Sequence, residues 1–228
     1  MRGRSFILEF VSVFIAVITA FALNNWNDNR KDHIAEDKIL QEIRNGLLKD
    51  KEDIADNLAG HESGLKACDY WHRVLNGRSV DRDSAALQFF TLTRDFVSIQ
   101  NRAGYESLKS KGLETIKDDS LRVAIIGIYE YDYSILRKLE EEYHEAQFHS
   151  NYFAPFNNAL APWYSFDDNG NMKGLSDDAV FSTEVYNELS MYLTRIKVNR
   201  LFVIQFYRIV DRKIDLIVEQ IDARQAKS

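Results

Sequence analysis

Glu9 is the one charge in the run Ser5 to Leu23, SFILEFVSVFIAVITAFAL. A carboxylate in so apolar a stretch is costly unless it is paired, faces other protein or stands on an ion path. With Ser12, Ala16, Ala20 and Asn24 it is spaced by three, four, four and four, which in a helix makes one narrow face of polar and small residues. Small residues at this spacing let membrane helices approach closely, so the face reads as a self-association seam. Two other uses compete. Glu9 lies about five residues, or ~7 Å along a helix axis, from the basic tail, so it can snorkel outward or meet Arg2 or Arg4 of a neighbouring chain. It can also serve as an ion-coupling carboxylate.

Two further constellations have ligand-like spacing. Glu141-x-x-His144, with His149 nearby and Asp69-x-x-His72 on another predicted helix, resembles half of a helical di-iron site, which needs two more carboxylates. Both pieces lie in charged, solvent-like sequence, and a solvated face is the better account. Asp167, Asn169 and Asn171 alternate as in a calcium loop, with Asp178 at the twelfth position, but Met172 replaces the required glycine and the twelfth residue is not Glu. A flexible loop is the expectation there. No G-x-S-x-G, G-x-G-x-x-G or Walker-type segment occurs, so no catalytic residue and no cofactor is expected. The aromatic groups Tyr129, Tyr131, Tyr133, Tyr143 and Phe148, and Tyr152, Phe153, Phe156, Trp163, Tyr164 and Phe166, read as core and lid.

The elements that hold these residues follow from periodicity. Ser5 to Leu23 spans nineteen residues, enough at ~1.5 Å per residue for a hydrocarbon core of roughly 30 Å. It is longer than a secretory core and ends in Asn24-Asn25-Trp26-Asn27 rather than a small-x-small cleavage site. Trp26 then sits as an interfacial anchor. The expected organisation is a tail over 1–4, a transmembrane helix over 5–26 and a helical domain over 27–228 with its main loop at about 153–181. Arg2 and Arg4 favour a cytoplasmic N-terminus in the inner membrane, with the body outside.

With only two prolines in 228 residues, a sandwich or barrel lacks its turns, and the fold class is all-α, an elongated antiparallel bundle of long helices. A net charge of -6 leaves no general attraction to nucleic acid. Cys68 cannot form an intramolecular disulfide and reads as a small buried hydrophobe. Ile34 to Leu58 predicts an amphipathic helix that runs on from the membrane segment and breaks at Gly60, with a second helix pairing back until Asn76-Gly77. Ser84 caps a short helix holding Leu87, Phe90 and Phe96, and Asn101 another that ends at Gly112. A long helix starts at Asp118 to Ser120 and runs to about Phe148. A closing helix spans about 182–224.

Glu9, the NNWND-x-RKD exit and GYESLKSKGLETIKDDSLRVAIIGIYEYD together resemble a bacterial family known as domain of unknown function 6090. Its pattern places Glu9, Asn25-Trp26-Asn27, Tyr105-Glu106-Ser107-Leu108, Gly112, Leu113 and Ile116 in corresponding positions over most of the chain. The resemblance implies an anchored helical body and names no activity. The function expected from the sequence is a membrane-anchored helical scaffold or sensor, in contact with the lipid bilayer and self-associating as a homo-oligomer. The alternative is an oligomeric ion- or proton-coupled assembly that uses Glu9.

Overall fold

A computed structural model describes the backbone of residues 2–226 and the side chains of residues 11–226. Two long helices dominate: α1 (Arg2–Leu75) and α7 (Thr183–Gln225). Their ion pairs join Arg44 to Asp222, Lys51 to Asp211 and Asp215, Glu62 to Arg208 and Asp69 to Lys197. One set of numbers climbs as the other falls, so the helices are antiparallel. Between them Leu40, Ile43, Leu47 and Ile54 of α1 meet Ile196, Val203, Ile214 and Ile221 of α7, all sealed from solvent. The all-α class expected from the sequence holds, but the second helix expected to pair back on the first is the continuation of α1, and α7 is the helix that packs against it.

The break expected at Gly60 does not occur. α1 continues through Gly60 and Gly64 to Leu75, although a glycine inside a helix costs about 1 kcal/mol relative to alanine. Close packing explains it: a methyl group on Gly60 would overlap the Phe96 ring, and one on Gly64 the Arg200 side chain. The helix stops where predicted, at Gly77 with φ +63°. There the Gly77 amide bonds to Val74 and the Arg78 amide to Arg73, two reverse bonds that satisfy terminal carbonyls.

The shorter helices α2 (Ala85–Leu92), α3 (Ala103–Lys111), α4 (Asp119–Ile126), α5 (Tyr133–Glu141) and α6 (Phe148–Leu160) pack around this pair. In α2 the register differs from expectation, since Ala85, Phe89 and Leu92 face inward while Leu87 and Phe90 are exposed. Phe96 lies beyond that helix. α3 starts after Arg102, leaving Asn101 in the preceding segment.

Asp118 caps α4 by accepting from the Leu121 amide at 3.0 Å. A π-helical turn over Gly127–Asp132 joins α4 to α5. Its extra residue lets Ile128, Tyr129, Asp132 and Tyr133 all point inward. The combined helix ends at Glu141, short of the expected Phe148. α7 begins where the closing helix was expected, with Ser182 capping it by accepting from the Val185 amide.

The expected main loop is largely ordered. α6 runs through Pro155, which costs about 3 kcal/mol in a helix interior. Burial of Phe148, Tyr152, Phe156 and Leu160 on one face outweighs that, at about 1.5–3 kcal/mol per large apolar side chain. A hairpin of β1 (Tyr164–Phe166) and β2 (Met172–Leu175) follows, with Tyr164 opposite Leu175. It docks on the start of α2 through the Leu175 amide and the Arg82 carbonyl.

Candidate functional site

Two regions stand out. The first is a line of polar side chains along α1: Asp50, Asp53, Asn57 and His61, at intervals of three, four and four. Such spacing keeps them on one helix face, and there they hold residues 94–102, which join α2 to α3 without regular structure. The Asn101 amide donates to Asp50 at 2.6 Å, the Ile99 amide to Asp53 at 3.0 Å, and Asn57 donates to the Val97 carbonyl at 3.2 Å.

At the end of that line sits a chain of three buried groups. Arg200 of α7 is 0% exposed, His61 0% and Glu140 4%, so none meets solvent to any useful extent. Arg200 Nη1 lies 3.0 Å from His61 Nδ1, and His61 Nε2 lies 2.9 Å from Glu140 Oε1. Arginine offers only donors, so Nδ1 accepts and Nε2 donates to the carboxylate. Arg200 Nη2 donates to the Leu92 and Arg94 carbonyls at 2.9 Å. Its guanidinium lies 4.1 Å from the Phe148 ring centroid. Burial lowers the Arg200 pKa to about 10, which leaves it charged at neutral pH.

Both imidazole nitrogens are occupied and the ring is sealed, so His61 has no free face to act as a general base. Buried charges persist when they are paired and hydrogen-bonded, and here the group joins α1, α5, α7 and the segment after α2. Asp95 extends the arrangement by accepting from the Phe148 amide at 2.7 Å, at the head of α6. In sequence, D50-x-x-D53-x-x-x-N57-x-x-x-H61 carries the signal for this line. It is indistinguishable there from a solvated charged face, except for Gly60 and Gly64 beside it.

The second region is the N-terminal part of α1. From Val11 to Ile34 every residue is exposed. Ser12, Ala16, Ala20 and Asn24 share one face of this helix, and Asn24 donates to Asp28 at 3.0 Å. Glu9 lies outside the described side chains. Trp26 is exposed, with the Arg30 guanidinium 5.9 Å from its ring centroid. Among the described residues no helix is long and apolar enough to cross a membrane; the side chains of residues 5–10 of the apolar run fall outside them.

The ligand-like constellations come apart. Asp167 accepts from the amides of Asn169 and Asn171 and from the Asn171 side chain, so its oxygens close the hairpin turn. Those bonds lower the Asp167 pKa, the Asn171 side chain most. Asp178 lies past β2, outside that turn. Asp69 pairs with Lys197 at 2.9 Å, and the His72 ring meets Asn76. Glu141, His144 and His149 are exposed. Of the aromatic residues, Tyr129, Tyr133, Phe148, Tyr152 and Phe156 are core, while Tyr131, Tyr143, Phe153 and Phe166 are exposed. Cys68 is buried, as expected, and burial pushes its thiol up to about 12.

Comparison with models of protein families, with curated proteins and with solved structures finds no match.

Proposed function

We propose that this chain is a membrane-anchored helical scaffold or sensor, tethered by the N-terminal part of α1 and self-associating along the Glu9, Ser12, Ala16, Ala20 and Asn24 face. The observation that carries the reading is the exposure of Val13, Phe14, Ile15, Ile18, Phe21 and Leu23, each more than half open on a stretch of helix that, among the described residues, no other element covers. Removing six such side chains from water is worth on the order of 10 kcal/mol. They point to all sides, which suits lipid better than one protein groove. Trp26 and Arg30 follow where an interfacial anchor belongs. The body, on this proposal, stands outside the inner membrane, and the likeness to domain of unknown function 6090 is part of the same proposal.

The test is fractionation of the full chain with and without mild detergent. The native chain should sediment with membranes, and Ile15→Lys with Ile18→Lys should move it to the aqueous fraction with its helical signal intact. Ala16→Leu with Ala20→Leu should keep it in the membrane but reduce the size of its complexes in detergent. A native chain that stays in the aqueous fraction overturns the anchor, and an unchanged size distribution overturns the seam.

A further inference from the structure

Residues 94–102 form a strap across α1 that is held almost wholly by side chains. Among the described residues, positions 94–101 make no backbone–backbone hydrogen bond to another element. Their ties are Arg200 on the Arg94 carbonyl, Asp95 on the Phe148 and His149 amides, Phe96 packed on Gly60 and Arg200, Asn57 on Val97, Asp53 on Ile99, and Asp50 and Tyr129 on Asn101. The Asp50 end of such a segment, beyond Phe96, can open while Arg200 keeps the Arg94 end seated between α1 and α7, since local openings follow the weakest set of contacts.

Asp50 closes one end. It is 3% exposed, its Oδ1 accepts the Asn101 amide at 2.6 Å, and its Oδ2 lies 2.5 Å from the Tyr133 hydroxyl. The groups that face it offer no direct counter-charge. Asp53 on the same helix repels it, and Tyr129 and Tyr133 come from the π-helical turn and the head of α5. Arg102 at the head of α3 is engaged by Glu106 and Glu130. On α7, Tyr207 bonds to Asn57 and Lys213 pairs with Asp132. A neutral Asp50 keeps both contacts, because its carbonyl oxygen still accepts from Asn101 and its hydroxyl can donate to the Tyr133 oxygen. An ionised Asp50 is a desolvated charge beside another carboxylate.

We propose that strap closure is coupled to a proton on Asp50, so that the strap over residues 94–102 opens more readily once that proton is lost. Burial, the largest cause, raises the Asp50 pKa from 3.8 to about 6 against the opposing hydrogen bonds from Tyr133 and Asn101. Burial also raises Asp53. An acid whose closed-state pKa lies above its open-state value favours closure at low pH, and the advantage is lost as pH rises through about 6. The proposal is independent of the anchor reading.

The test is amide hydrogen exchange over residues 94–102 of the full chain in mild detergent at pH 5 and 7.5, corrected for intrinsic exchange. A carboxyl at 3.8 when open and about 6 when closed implies about tenfold less protection at the higher pH. Peptides from the α1 and α7 core should not change. Asp50→Asn imitates the neutral acid and should remove most of the strap's difference between the two values, leaving only the smaller part owed to Asp53 on the Ile99 amide. Tyr133→Phe removes a bond that favours the ionised form and should shift the onset of opening to higher pH. Equal protection of the native strap at both pH values overturns the proposal, as does an undiminished slope in Asp50→Asn. Should Asp50→Asn lose its circular dichroism signal, an unmoved onset in Tyr133→Phe has the same force.

Discussion

Val13, Phe14, Ile15, Ile18, Phe21 and Leu23 carry the same kinds of side chain as Leu40, Ile43, Leu47 and Ile54 further along α1, yet the first group is more than half exposed and the second is sealed. The helix itself is continuous between them. What changes is company: α7 ends at Gln225, whose side chain reaches the Asp37 carbonyl, and burial on α1 begins at Glu36. Tertiary contacts, not helix propensity, stabilise the body, while the projecting part depends on whatever surrounds it.

Substitutions can sharpen that contrast. The largest effect is expected for Arg200→Met, which strands the Leu92 and Arg94 carbonyls and His61 and should cost about 3–5 kcal/mol in chemical unfolding. Leu47→Ala should cost about 3 kcal/mol through lost burial and the cavity it leaves, whereas Leu23→Ala should leave the unfolding midpoint of the body unchanged. Equal losses at Leu47 and Leu23 would show that the two parts unfold as one unit. Within the body, Gly60→Ala forces Phe96 aside and should cost about 2 kcal/mol. Gly127→Ala meets nothing within 4 Å and should gain up to ~1 kcal/mol in thermal melts.

Three helix ends were legible in the sequence, whereas the expected break at Gly60 and the expected run to Phe148 were not found. Ser182, Asp118 and Gly77 act on backbone groups within a few residues of themselves, so local reading suffices. The inward stripe of α7 was legible for the same reason, since Leu189, Leu193, Ile196, Val203, Val210, Ile214, Ile217 and Ile221 repeat at helical intervals. Partners distant in sequence were not. Gly60 and Gly64 look like helix breakers until Phe96 and Arg200 are known to rest on them, and Pro155 looks like a loop until the burial of Phe156 and Leu160 is counted. Asp50, Asp53, Asn57 and His61 read as solvated because only the fold brings the strap, Glu140 and Arg200 to them. The hairpin fell in a polar stretch too short for an alternating pattern to speak.

The uninterrupted passage of α1 from Arg2 to Leu75 makes it a torsionally stiff shaft. Each residue added between Trp26 and Glu36 would rotate the Ser12, Ala16 and Ala20 row by ~100° relative to α7, and four residues would nearly bring it back into phase. Rotation or axial displacement of one end is thereby communicated to the other without any loop to absorb it.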